Sequence, residues 1–381
     1  MTLAVTAMVR DEADLIRQWV EYHLAQGVDV MIVTDNASTD GTTEILREFA
    51  DAGRLHLRHD PEHRKQQGAV VTAMAREAAV EHGATWVVNA DADEFLAPVD
   101  RSLTLGEAFA RLDPALRSFT VPVVNLVGPL AERGAGLDRL VWRDERSNEQ
   151  LQEVGVLAQP TPNAVHVGDP DVVVAQGNHL VSIESAGAPP KELALEVLHL
   201  PWRSWHQLRR KVEMAGAGYE AAPDLRPSPN HHGMIDYARL GEGVLLPYAA
   251  ARHVTDEEAA AGPFTRDETL PRFVAEHGLT TPDDDVPLVA SRAVDLAAAG
   301  RGLVARDRAA SALRQELVER GLELDVVRGE RDASRAEADD LRGRVAQLEG
   351  EVAGLEATVA ELSNRRVVRT VDAVAAKLRR R

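Results

Sequence analysis

Four short apolar runs, each ending in a polar cluster and separated from the next by a helix-period segment, occupy the first 96 residues. They restrict the fold more than any other feature. Leu3-Ala-Val-Thr-Ala-Met8 is too short for a stable helix and reads as a buried strand. Arg10, Asp11 and Glu12 follow it, then a helix pattern with Leu15, Ile16, Trp19, Val20 and Leu24 on one face. Val28–Val33 is a second strand; the polar turn Thr34–Gly41 after it offers Thr39 or Asp40 as cap for a helix from Thr43 to Phe49. Leu55-His-Leu predicts a third strand, residues 66–81 a third helix, and the run from Trp86 a fourth strand. Such alternation is that of an α/β protein with a parallel, doubly wound sheet.

The fourth strand runs into Asn89-Ala-Asp-Ala-Asp-Glu-Phe95. Alternate residues of an extended chain share a face, so Asp91 and Asp93 point the same way. They do so at the C-terminal end of the strand, where open α/β sheets bind ligands. Two hard oxygen donors side by side suit Mg²⁺ or Mn²⁺, ions that also hold substrate phosphates. A polar loop after a buried strand is the plainer reading of the same residues.

Several chemistries are excluded. The chain has no cysteine, which removes thiol catalysis, zinc-thiolate sites and disulfides. No glycine-rich dinucleotide or Walker loop follows the first strand. A net charge of −18 opposes nucleic acid as a partner. His231 and His232 are adjacent in a proline-rich stretch and read as loop rather than metal site.

Five segments occur in order: Val9-Arg-Asp-Glu12, Trp19-Val-Glu-Tyr-His23, Gly27-Val-Asp29, Asp35-Asn-Ala-Ser-Thr-Asp-Gly-Thr42 and Asn89-Ala-Asp-Ala-Asp-Glu-Phe95. Together they resemble the family 2-like glycosyltransferases, in the branch similar to family 92. A further segment, Leu198-His-Leu-Pro-Trp-Arg-Ser-Trp205 with Lys211 beyond it, resembles the place where that branch shows His-Tyr and then Lys; Leu200 stands where the tyrosine is usual. The resemblance implies a Rossmann-like domain of GT-A type, a nucleotide-sugar donor and a Mn²⁺ or Mg²⁺ cofactor. It implies that Asp93 binds the metal, that Asp91 contacts ribose or metal, and that Asp35 and Asn36 reach base and ribose. Arg10 and Glu12 are expected on the other side of the nucleotide pocket. Arg64 and Lys65 precede a helix N-terminus, a place that attracts phosphate, although a solvated basic turn reads the same. His199 is the candidate for a third metal or diphosphate contact, against the ordinary reading of a core histidine. Lys211 is placed to neutralise the diphosphate, against a solvated helix face.

An inverting transfer needs a carboxylate near the acceptor hydroxyl. Residues 143–149 and the pair Asp169 and Asp171 supply candidates, with Glu149 preferred; a retaining transfer needs no such base. Acceptors expected for this class are a cell-surface glycan or a lipid-linked glycan. A non-catalytic scaffold that binds sugar nucleotides and a nucleotidyltransferase are the competing readings. The second lacks its usual glycine-rich basic loop after strand one.

The character of the chain changes near residue 280. The expected organisation is a catalytic domain over 1–280, a linker over 281–304, a coiled coil over 305–364 and a basic amphipathic tail over 365–381. From 305 onward there is no proline, and Leu341, Val345, Leu348, Val352, Leu355, Val359 and Leu362 are spaced alternately four and three apart. Valine at a and leucine at d favour a parallel two-stranded coil, hence a homodimer; a helix packed back on the first domain is the alternative. In residues 363–381 seven basic side chains against Asp372 give a net +6, with Val367, Val371, Val374 and Leu378 on one helical face. That pattern suits an anionic membrane surface, and equally a solvated tail. No secretion signal and no spanning run of ~18 apolar residues is found, so a cytoplasmic protein, peripheral at the inner membrane face, is expected.

Overall fold

The computed structural model describes residues 1–62, 66–220, 232–279, 285–364 and 366–380. It divides into two compact units, Met1–Arg306 and Asp307–Arg381. The first unit opens with β1 (Leu3–Val9), α1 (Ile16–Ala25), β2 (Val30–Asp35), α2 (Thr42–Asp51), β3 (His56–His59), α3 (Gln67–Val80) and β4 (Trp86–Asn89). It continues with β5 (Glu94–Pro98), α4 (Leu105–Arg111), β6 (Ser118–Val121), β7 (Val123–Val127), β8 (Ala131–Arg133), β9 (Trp142–Asp144), α5 (Asn148–Glu153), β10 (Asn163–Val167) and β11 (Leu195–His199). Then come α6 (Trp205–Glu220), α7 (His232–Gly241), α8 (Leu245–Arg252), α9 (Asp256–Ala261), β12 (Phe264–Arg266), α10 (Thr269–Glu276) and β13 (Val286–Pro287). Two helices close the chain, α11 (Ala290–Asn364) and α12 (Arg366–Leu378).

The main sheet has the order β3-β2-β1-β4-β10-β6. Its first four strands are parallel, as their apolar runs and intervening helices require. Strand β10 enters antiparallel between β4 and β6. Glycine makes this approach possible: a Cβ at Gly168, just past β10, would fall 2.0 Å from the Ala84 carbonyl oxygen. A second sheet, β12-β9-β7-β11-β5, stands beside the first. Its β5–β11 pairing sets His199 opposite Glu94, and the β11–β7 pairing sets His199 beside Asn125.

One core packs α1 against both sheets. Trp19, Tyr22, Trp86 and Phe95 are all at most 1% exposed within it, and each such side chain contributes roughly 1.5–3 kcal/mol by leaving water. On α1, the Trp19 indole N–H donates to the Glu94 carbonyl at 2.8 Å, and the Leu96 N–H donates to His23 Nε2 at 3.4 Å. The Tyr22 ring meets Phe95 edge to face. The Trp-x-x-Tyr-His pattern and the Glu-Phe extension of the aspartate motif are therefore two halves of one contact.

The stretch expected as a linker is in part helical. Helix α11 already starts at Ala290, and Ala297 packs with Leu130, Ala250 and Leu288. The reason is composition: alanine is the best helix former, and no proline follows Pro287. In the second unit the seam residues Leu341 to Leu362 are 45–67% exposed. Among the described residues, no helix is long and apolar enough to cross a membrane.

Candidate active site

The C-terminal ends of β1 and β4 open into a cavity of ≈ 610 Å³. Its wall includes Arg10, Glu12, Asp14, Gln67, Asp91, Asp93, Arg133, Arg210 and Lys211. The loop after β1 is sewn to the loop after β2. Asp11 is held at φ 58°, a conformation that strains a residue with a Cβ. Its N–H donates to Ser38 Oγ, and its Oδ1 accepts from the Thr39 N–H at 2.7 Å and pairs with Arg210 at 2.8 Å. The Glu12 N–H donates to Thr42 Oγ1. Asp40 accepts from the Thr42 N–H at 3.1 Å, the capping role its position implied, although the N-cap residue itself is Gly41 at φ 103°.

The Asp91–Asp93 turn is gripped from both sides. The Leu200 N–H donates to the Asp93 carbonyl at 2.9 Å, which fixes the segment after β11 against the turn. Asp93 is 3% exposed, and its Oδ2 receives the Lys211 ammonium at 2.8 Å. His199 Nε2 lies 3.7 Å and Arg203 Nη1 4.0 Å from the same oxygen. Burial opposes the Asp93 charge, but Lys211, His199 and Arg203 outweigh it and hold the carboxyl well below the usual range. Lys211 is affected reciprocally: burial of the ammonium works against its charge, yet Asp93 and Glu12 raise its pKa. The stem of this lysine remains half exposed to the open cavity.

Asp91 has a different environment. Its Oδ1 accepts from Gln67 Nε2 at 2.8 Å and from Asn178 Nδ2 at 3.1 Å. Its hydrogen-bond partners are neutral amides, and burial, then Asp93, push its pKa up against Lys211, His199 and His179. Beside it, Glu94 accepts from the Asp91 N–H and from Asn163 Nδ2, and burial followed by Asp91 raises it to about 7. Glu12 is also raised to about 7, chiefly by burial, with Arg203 opposing.

The cavity thus brings together Arg10, Glu12, Asp91, Asp93 and Lys211 from the sequence-derived set, with His199 against Asp93. Asp35 and Asn36 do not line it. Asp35 is fully buried, its oxygens engaged by Ser38 and Thr43, and the Asn36 amide donates to the Asp60 and Glu62 carbonyls. Both residues brace the loop instead. Glu149 is not on the wall either. It is exposed in the first turn of α5, where Ser147 hydrogen-bonds to it and lowers its pKa. Arg64 and Lys65 lie outside the described residues. Sequence reasoning missed Gln67, His179, Asn178 and Arg203. His179 Nδ1 is 3.1 Å from Asn163 Oδ1, and its ring acts electrostatically on Asp91. Arg203 was within reach, because it sits in the Leu198–Trp205 segment already singled out.

Asp91 and Asp93 fit a divalent ion in part. Among the described residues, the amides converge on one oxygen of Asp91 and the cations on one oxygen of Asp93, which leaves the other oxygen of each carboxylate for a ligand. His199 does not complete a three-ligand cage with them. Among the described residues, the group that brings three ligand atoms within 4.8 Å of one another is Glu77, Glu81 and His82. Those lie at the opposite end of α3 from Gln67, about 15 Å along the helix. Two carboxylates open toward a cavity match the habits of Mg²⁺ and Mn²⁺, which take one or two protein carboxylates and fill their other positions from outside the protein.

Residues 1–117 match the sequence model of glycosyltransferase family 92, and this part of the chain is similar to that family. No curated protein matches the chain. Among solved structures, TarS 1–349 of S. aureus in complex with UDP-GlcNAc is 14% identical with a TM-score of 0.33, over 68% of this chain and 77% of that one. S. aureus TarS in a longer form is 15% identical with a TM-score of 0.32; the match takes in 66% of this chain but only 43% of that one. Glucosyl-3-phosphoglycerate synthase from Mycobacterium tuberculosis, with Mn²⁺, UDP and glucosyl-3-phosphoglycerate, is 18% identical with a TM-score of 0.23, over 44% and 56% of the two chains.

Proposed function

We propose that this chain is a glycosyltransferase that moves a sugar from a nucleotide-sugar donor to a glycan or lipid-linked glycan acceptor. The observation that carries this reading is the Asp91–Asp93 turn at the end of a parallel strand, facing a cavity shared with Lys211 and Arg10. Transfer breaks the bond between the sugar C1 and the diphosphate oxygen, and the electron pair leaves with the nucleoside diphosphate. The acceptor hydroxyl forms the new bond to C1, and its proton passes to the leaving nucleoside diphosphate or to water. Negative charge grows on the leaving group, and preorganised cations stabilise it most where water is excluded. Lys211 and Arg10 supply that charge from the cavity wall, and His199 and Arg203 hold Asp93 in place. When bound, Mn²⁺ or Mg²⁺ on Asp91 and Asp93 adds Lewis-acid stabilisation of the same diphosphate. The exposed Glu149 is given no step.

The second unit supports a further part of the proposal, a homodimer. In the seam register Glu337 and Arg344 stand at g, with Arg342 and Glu349 at e. Parallel pairing with a second copy sets Glu337 against Arg342 and Arg344 against Glu349; the pair Glu351 and Glu356 opposes it. Helix α12 exposes Val367, Val371, Val374 and Leu378, the face proposed to rest on anionic lipid at the inner membrane surface. Arg365 and Arg381 of that tail lie outside the described residues.

The test is a panel of uridine, guanosine and thymidine diphosphate sugars, with and without Mn²⁺, followed by release of the nucleoside diphosphate. Release by wild type that disappears in Asp93→Asn supports the reading. Binding with no release, with glycan and lipid-linked glycan acceptors supplied, leaves a sugar-nucleotide-binding scaffold, and no binding at all ends the proposal.

A further inference from the structure

Arg203 is completely buried, at 0% exposure. Its Nε and Nη2 chelate the Asp14 carboxylate at 3.0 Å each, and Nη2 also donates to Glu12. Nη1 has no hydrogen-bond partner among the described residues and lies 4.0 Å from Asp93 Oδ2. The backbone of the same residue is anchored: its carbonyl accepts from Arg139 Nη2 at 2.8 Å, and Arg139 grips Asp285 at 2.9 Å. One guanidinium therefore joins the loop after β1, the turn after β4 and the segment leading into α6.

An unsatisfied donor in a buried guanidinium is costly. The arrangement around it accounts for its presence. Glu12, Asp14 and Asp93 put three carboxylates on one wall of a cavity read as the seat of an anionic diphosphate. Without a fixed cation they repel one another and the ligand. Only a planar fork satisfies Asp14 with two parallel bonds while reaching Glu12; an ammonium group supplies the charge but not the geometry.

We propose that Arg203 is a positioning residue for the donor, locking the Glu12–Asp14 loop against the Asp93 turn so that the diphosphate meets a preformed wall. This rests on the sugar-nucleotide reading given above. Preorganisation of this kind appears in affinity, because the ligand no longer has to order the loop on binding.

The experiment uses the full chain, with Arg203→Lys and, as a milder break of the same lock, Asp14→Asn. Calorimetric titration with UDP and separately with GDP, both with Mn²⁺, gives nucleotide affinity, and steady-state assays give KM and kcat for the donor found in the panel. The expected result for Arg203→Lys is about ten-fold weaker nucleotide binding and a donor KM raised alike, the scale of one charge-assisted hydrogen bond. Its kcat at saturating donor should stay within about three-fold. Asp14→Asn should move the same quantities in the same direction by less, and it carries the test if Arg203→Lys does not fold. A purely structural role predicts the reverse split, a lower active fraction with unchanged KM and affinity, and that result overturns the proposal. Wild type that binds neither these nucleotides nor thymidine diphosphate overturns the donor reading and this role together; wild-type binding matched by both variants overturns the role alone.

Discussion

Lys211 Nζ stands 2.8 Å from Asp93 Oδ2, a pair that joins the turn after β4 to α6 across 118 residues of chain. Truncating Asp93 removes the volume of a buried side chain and the oxygen that receives Lys211, whose own side chain is half exposed. For this reason Asp93→Asn, which keeps shape and hydrogen bonding, is a better probe than truncation to alanine. Turnover should fall by about 100-fold or more, the scale of removing one preorganised charge contact. Lys211→Met should raise donor KM and lower kcat together. Nucleoside diphosphate release, with circular dichroism to confirm folding, measures both.

The amides on Asp91 make a separate prediction. Asn178→Ala and Gln67→Ala each remove a donor from Asp91 Oδ1. Each should weaken nucleotide binding several-fold, about 1 kcal/mol for a single hydrogen bond. Since both touch one oxygen, the double variant should depart from additivity. Additive effects in calorimetry would mean that the two amides act on different groups.

His23 gives the chain a pH-dependent element. Its Nε2 accepts from the Leu96 N–H and its Nδ1 lies 2.9 Å from the Trp19 carbonyl, so the ring is neutral with the proton on Nδ1. Burial lowers its pKa from 6.5 to about 4. Between these values the unfolded chain binds a proton that the native state does not. Stability from this ring is complete above pH 6.5 and is lost as pH falls toward 4. Glu12 and Glu94, raised to about 7, act with opposite sign, so the measurable quantity is the difference between wild type and His23→Gln. From pH 7.5 to pH 5 the wild type should lose about 2 kcal/mol relative to the variant in urea unfolding. Parallel profiles for the two proteins would show that His23 is protonated equally in both states.

Assembly is tested through the seam. Leu348 and Leu355 are 59% and 67% exposed in the single chain, and each buried leucine contributes roughly 1.5–3 kcal/mol. Full-length protein should sediment as a dimer at micromolar concentration, and Leu348→Lys with Leu355→Lys as a monomer that still binds nucleotide. A monomeric wild type would count against the coil.

The tail predicts lipid selectivity. Wild type should float with vesicles containing phosphatidylserine and not with phosphatidylcholine alone, and binding should fade as salt shortens electrostatic reach to about 8 Å at physiological strength. Changing Arg379 and Arg380 to Ser should remove about 1 kcal/mol per site. Equal flotation with neutral vesicles would leave an ordinary solvated tail.

The parallel half of the sheet was legible because each strand and helix there is a local pattern: Leu3–Val9 and Trp86–Asn89 announce themselves by apolarity alone. The insertion of β10 between β4 and β6 was not legible, since antiparallel pairing of Val165 with Val88 depends on a close approach at Gly168 rather than on any periodicity. The same division holds in the cavity. Asp91 and Asp93 are neighbours in sequence, and both stand on the cavity wall. Asn178, His179 and Arg203 arrive from 85 to 112 residues away, carried by turns whose geometry no short window encodes. Asp35 is ambiguous by sequence, because an acidic residue ending a strand looks the same whether it faces a ligand or bonds its own turn, as Asp35 does through Ser38 and Thr43.

Helix α1 holds the backbone of Glu94 and Leu96 with side chains that never see the cavity. Substitutions there carry an unusual signature. Trp19→Phe keeps the aromatic packing yet frees the Glu94 carbonyl, and the displacement passes directly to the neighbouring aspartates. A saturation library scored for activity would therefore show a second ring of intolerant positions at Trp19, Tyr22 and His23, one layer behind the wall. The same layer offers a handle for tuning donor affinity by fractions of an ångström, without altering a single group that a ligand touches.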